Sequence, residues 1–197
     1  MNPSNPEHES LVAADRWRLW SSLVRGLSHQ LANVAQMMAL DDVPPGALTE
    51  SRERLADTTA ALQALRTTSG TAPLLLTPVF DDLDRLQRLQ MEFPSAPLDC
   101  TLEPGLPALA MRPEDLMHLL LACVTASKRA AGDERLAVRV DAREEGDGVC
   151  VTIASPPSIE ADPGAAARAL AERARGSVTT APGAMQVRLP AWRRPGA

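Results

Sequence analysis

Tyrosine is absent from this 197-residue chain and aromatic residues make up only 3% of it. With 45% hydrophobic residues overall, a core is affordable, but it must be aliphatic, built from Leu, Val, Ala and Met. An excess of basic charge is also missing. The net charge is -5, and the Arg residues are interleaved with Asp and Glu, which excludes the basic stripe a nucleic-acid partner requires. No run approaches the ~20 consecutive apolar residues of a membrane span. Met1 to Arg18 is too charged for a signal peptide, so the expectation is a cytoplasmic protein with no membrane contact. Cysteines are few: Cys100, Cys123 and Cys150 are far apart, odd in number and without metal-ligand spacing, as reduced thiols in a core would be. The only histidines are His8, His29 and His118, and none shares a helix face with Asp or Glu at metal-site spacing.

What is present first is a long helical pattern. From about Glu7 to Asp41 the only Gly or Pro is Gly26, and Trp20, Leu23, Val24, Leu27, Leu31, Val34 and Met38 recur in steps of three and four, as on one helix face. At 1.5 Å per residue such a helix reaches roughly 50 Å, too long to be buried in so small a globule. Val43-Pro44-Pro45-Gly46 stops it. A second helix is expected from about Ala47 to Thr68, with Leu48, Leu55 and Leu62 at heptad spacing and Ser51, Thr58 and Leu65 offset by three. Two helices cannot enclose a core. The apolar faces of the hairpin are therefore expected to pair with a second copy as a four-helix bundle, which makes the protein a homodimer. The alternative is that the hairpin packs on its own C-terminal domain.

From Thr71 the pattern changes to short strands alternating with helices. Strands are expected at Leu74-Leu75-Leu76, Leu98 to Leu102 and Leu106 to Met111, with helices at Pro78 to Met91 and at Pro113 to Ala131, the latter ended by Gly132. Arg135 to Arg143 and Val149 to Ala154 alternate around Glu145-Gly146-Asp147-Gly148, a hairpin signal. A last helix, Ala165 to Arg175, precedes two strands, Ser177 to Thr180 and Met185 to Leu189, around Ala181-Pro182-Gly183-Ala184. The fold class is α+β, a mixed sheet with helices on one face, preceded by the hairpin. The expected division is residues 1–9 as a disordered N-terminus, 10–70 as the hairpin, 71–192 as the α/β domain and 193–197 as a tail.

His29 lies about 200° around the first helix from Leu27, in line with Ser22, Arg25, Asn33 and Gln36, so it projects from the polar face. An imidazole there serves no packing role. His118, beside Leu119 and Leu120, reads instead as a packed or rim histidine.

Leu27-Ser28-His29-Gln30-Leu31-Ala32-Asn33 resembles the phosphoacceptor motif of sensor histidine kinases. The later element order, with Arg175-Gly176-Ser177-Val178, Pro182-Gly183 and Val187-Arg188-Leu189-Pro190, is similar to their GHKL-type ATP-binding domain. The likeness covers about Leu11 to Pro190 and departs at the nucleotide site. Ala126 stands where the family has a magnesium-binding Asn. The strand Val151-Thr152-Ile153 runs into Ala154-Ser155-Pro156-Pro157 instead of an adenine-binding Asp-x-Gly box, and only about ten residues remain for a glycine-rich lid. A phosphoacceptor helix joined to a degenerate ATPase-like domain resembles the ChpT-type histidine phosphotransferases. That resemblance implies no cofactor, a response-regulator receiver domain as partner and an upstream hybrid histidine kinase as a further one. It implies phosphoryl exchange at His29, with Asn33 and Arg25 contacting the phosphoryl group. Gln30 replaces the family's acidic residue; it can hydrogen-bond the ring but cannot accept its proton. The other reading is a non-catalytic pseudokinase that docks a regulator or a kinase.

Overall fold

The computed structural model describes residues 6–39, 45–64, 73–89, 98–131, 137–154 and 160–193. Two long helices come first, α1 (Pro6–Met38) and α2 (Pro45–Ala64), packed along one another. A shorter helix, α3 (Leu76–Arg88), follows. The sheet comprises β1 (Leu98–Leu102), β2 (Val138–Glu145), β3 (Gly148–Ala154), β4 (Ser177–Ala181) and β5 (Ala184–Pro190), with α4 (Pro113–Ala131) and α5 (Ala165–Arg173) between them in sequence.

Its strand order is β1-β2-β3-β5-β4. β1 and β2 are parallel and every other pair is antiparallel. A parallel pair needs a crossover, and α4 supplies it. Two of the three antiparallel pairs, β2 with β3 and β4 with β5, close through tight turns. At the second, Pro182 opens the turn and Gly183 takes φ +88°, a left-handed value that suits Gly after Pro. Alternate residues Val138, Val140, Ala142, Val151, Ile153, Met185, Val187 and Leu189 are buried on one face. Arg139 and Arg143 of β2 are exposed on the other, the alternation expected of a sheet covered on one side. α4 is buried continuously from Asp115 to Thr125, because the sheet lies on one side of it and α1, α3 and α5 on the others.

The α+β class and the mixed sheet are as the sequence predicts, with several corrections. Leu74-Leu75-Leu76 is not a strand. Only Leu74 pairs, as an isolated bridge to Leu109, and Leu76 already begins α3. Pro78 in the first turn of that helix needs no N–H donor, so the helix starts ahead of it. Leu106 to Met111 likewise reduces to Leu109, bridged to Leu74 and Ala191. Pro6 to Glu9, expected to be disordered, form the first turn of α1, where Glu7 and Glu9 favour the positive end of the helix dipole. The expected helix ends at Asp41, Thr68 and Met91, and the start of the strand at Arg135, lie outside the described residues.

The largest correction concerns α1. Val12, Leu19, Leu23 and Leu27 do not wait for a second copy; they belong to one core with α3, α4, α5 and the sheet. The hairpin therefore packs on its own domain. Each such Leu removed from water contributes about 1.5–3 kcal/mol. Gly26 faces the end of α3 so closely that a Cβ would stand 1.7 Å from the Leu89 carbonyl oxygen. What remains outside is a second apolar stripe at heptad spacing, Trp17, Val24, Leu31 and Met38, between 38% and 75% exposed. On α2 the burial is also divided. Ser51 and Thr58 are buried, whereas Leu48 and Leu55 are exposed.

Candidate functional site

α1 carries three faces around its axis: the buried stripe, the exposed apolar stripe, and the polar face with His29. His29, Arg25 and Asn33 are all exposed, as the periodicity predicts. One helical turn separates His29 from Asn33, which brings the Asn33 amide nitrogen Nδ2 to 3.3 Å from His29 Nε2. An amide N–H can only donate, so Nε2 is the acceptor of this contact in the tautomer that carries the ring proton on Nδ1. Ser28 is turned to the helix backbone, its hydroxyl donating to the Val24 carbonyl at 2.9 Å.

Gln30 does not serve the His29 ring, contrary to expectation. Its Oε1 accepts a hydrogen bond from Thr58 Oγ1 of α2 at 3.1 Å. Thr58 is buried, so a polar pair pins the two helices one residue past the histidine. Beyond Gln30 opens a cleft of about 250 Å³ between the hairpin and α3, lined by Gln30, Asp57, Asp84, Arg85, Arg88 and Leu89. Arg88 pairs with Asp84 at 2.7 Å and Arg85 with Asp82 at 3.1 Å. Behind this wall Lys128 of α4 is buried and donates to Gln87 Oε1. Burial lowers its pKa to about 8, the nearby Asp84 carboxylate pulling the other way.

At the opposite end of α1 a second polar cluster was missed by sequence reading. Asp15 accepts from Arg18 at 2.6 Å and lies 2.9 Å from Nε2 of His118 on α4. The hydrogen bond from His118, helped by the Arg18 charge, holds the Asp15 carboxyl below its usual range against the opposing effect of burial. His118 is thus the packed histidine expected. Arg16 pairs with Asp115 at 2.5 Å, and Arg173 of α5 lies 3.7 Å from the same carboxylate.

Among the described residues, two of the three thiols are poor competitors for His29. Burial pushes the Cys100 thiol up to about 11 and the Cys123 thiol up to about 12, which leaves both protonated and poorly nucleophilic. Among the described residues no group of three His, Cys, Asp or Glu could hold a metal, and no helix is long and apolar enough to cross a membrane.

No family model matches the sequence, and no curated protein matches it. Solved structures do. The histidine kinase AdeS of Acinetobacter baumannii is similar over 88% of this chain and 98% of that one, with a TM-score of 0.52 and 8% identity. The ATP binding domain of PrrB from Mycobacterium tuberculosis is similar over 64% of this chain and all of that one, with a TM-score of 0.48 and 19% identity. The fold is that of the histidine kinases: a long N-terminal helix joined to a GHKL-like α/β domain with a mixed five-stranded sheet.

Proposed function

We propose that the chain is a histidine phosphotransfer protein that exchanges a phosphoryl group between His29 and the aspartate of a response-regulator receiver domain, without using ATP. The observation that carries this is the solvent-facing His29 ring with the Asn33 amide 3.3 Å from its Nε2. In the forward step the Nε2 lone pair attacks phosphorus, an N–P bond forms, and the acyl phosphate O–P bond breaks to release the receiver's carboxylate. Asn33, no longer needed by the lone pair, donates to a phosphoryl oxygen. Arg25, one turn before His29, supplies positive charge.

A nucleotide, which the fold family implies, does not fit the residues present. Ala126 offers no polar atom to a metal. At the N-terminus of α5, where backbone N–H groups would attract phosphate, Asp162 already accepts from the Gly164 N–H at 2.9 Å and from Arg168 at 2.7 Å. A carboxylate there repels a phosphate. Ser155, at the adenine-reading position, lies outside the described residues.

The protein works as a homodimer on this reading. The Trp17, Val24, Leu31 and Met38 stripe on α1 and Leu48 and Leu55 on α2 are apolar, regularly spaced and exposed, and pairing with a second copy would cover them. One observation favours the docking-module alternative: the Gln30 amide oxygen is directed to Thr58 rather than to the His29 ring. Incubation with a phosphorylated receiver domain decides between the two. Label should pass to His29, and a receiver that binds without transferring label would leave docking as the function.

A further inference from the structure

Phosphoryl exchange at His29 gives no task to the part of α1 that precedes it, yet that part is fastened to the α/β domain in three ways. The first is ionic. Asp115 is only 4% exposed and its carboxylate meets Arg16 of α1 and Arg173 of α5, so one buried charge ties three helices together. Beside it His118, 1% exposed, holds Asp15, which also keeps Arg18. The second is apolar: Val12, Leu19, Leu23 and Leu27 enter the same core as α4 and α5. The third is steric. Gly26 lets α1 approach the Leu89 carbonyl at the end of α3 to a distance no other side chain permits.

Asp15 and Gly26 are roughly 16 Å apart along the helix. One contact would act as a pivot; two contacts that far apart, joined by an apolar strip, prevent both rotation and sliding. Separating them would take Arg16 from Asp115 and His118 from Asp15 and expose the leucines together.

We infer that α1 and the α/β domain are clamped into a single rigid body, so that His29 is displayed at a fixed angle beside the α3 cleft and the chain's own domain cannot swing toward it. The clamp is independent of whether His29 accepts a phosphoryl group, so failure of transfer would not count against it.

Residual dipolar couplings of the full-length protein test the clamp. Amides of α1 from Arg25 to Gln36 and amides of β2, β3 and β5 should fit one alignment tensor. In Gly26→Leu they should require two. Because Gly26→Leu also crowds the core, Asp15→Asn/Arg16→Gln, which removes charge with little change in volume, is the second variant and should show the same loss of a common tensor. Two tensors in the wild-type protein would overturn the inference, as would a single tensor retained in both variants.

Discussion

The amide of Asn33 stands 3.3 Å from Nε2 of His29, one helical turn away on the exposed face of α1. The ring is exposed, so the reactivity of the site should be sensitive to these two residues in different degrees. His29→Ala or His29→Gln should abolish label transfer from a phosphorylated receiver and leave the fold intact, because the side chain is exposed. Labelled wild-type protein should show an acid-labile, base-stable phosphoramidate. Asn33→Ala should slow exchange by an intermediate factor, since one hydrogen bond to the group in flight contributes about 1–3 kcal/mol. A rate unchanged by Asn33→Ala in rapid-quench measurements would remove that residue from the mechanism.

Thr58→Val removes the donor that Gln30 Oε1 accepts. An unsatisfied, partly buried amide oxygen costs about 1–3 kcal/mol, so urea denaturation should show a lower midpoint. Gln30→Leu/Thr58→Val, which deletes both partners, should recover much of the loss. Equal destabilisation in the single and double variants would show that the pair does not join the helices.

The divided faces of α1 make two leucines respond differently. Leu31→Asp lies on the exposed stripe and should yield a folded monomer by light scattering, with an unchanged far-ultraviolet circular dichroism spectrum. Leu23 is fully buried in the chain's own core, so Leu23→Ala should cost about 2–5 kcal/mol of stability whatever the oligomeric state. A wild-type monomer at micromolar concentration would end the dimer proposal.

Lys128 gives a pH signature. Its folded pKa of about 8 lies below the ordinary 10.5, so between those values the unfolded chain binds the proton that the folded chain has released. Stability from this group therefore rises with pH across that window, and below it the folded state carries the full penalty of the buried charge. The buried thiols act in the opposite direction above about pH 9, since their folded pKa values are raised. Comparison with Lys128→Met separates the two effects. The variant should be more stable than wild type at pH 7, with the gap closing toward pH 10.5; a constant gap would contradict the assignment.

Mg-ATP should give no binding heat in calorimetry, because Ala126 and the Asp162 carboxylate ahead of α5 provide no anchor for it. A micromolar dissociation constant would restore a nucleotide-dependent reading.

Sequence by itself determined the elements whose causes are local. α4 runs from Pro113 to Ala131 as read, since a first-turn proline and an uninterrupted apolar run act within a few residues of one another. The hairpins at Gly146-Asp147 and Pro182-Gly183 follow from turn chemistry alone, and the exposure of His29, Arg25 and Asn33 follows from helical periodicity. Tertiary structure decided the rest. Leu23 and Val24 are neighbours in one apolar pattern, yet only the packing of α1 against α4 and α5 buries the first and leaves the second outside. Gln30 turns to Thr58 rather than His29 because α2 happens to lie there. Gly26 reads in the sequence as an interruption and becomes, against Leu89, the point of closest approach. The pairs Asp15 with His118 and Arg16 with Asp115 join residues about a hundred positions apart. No periodicity or local propensity encodes such pairs, because which charges meet depends on how whole helices settle over the common core.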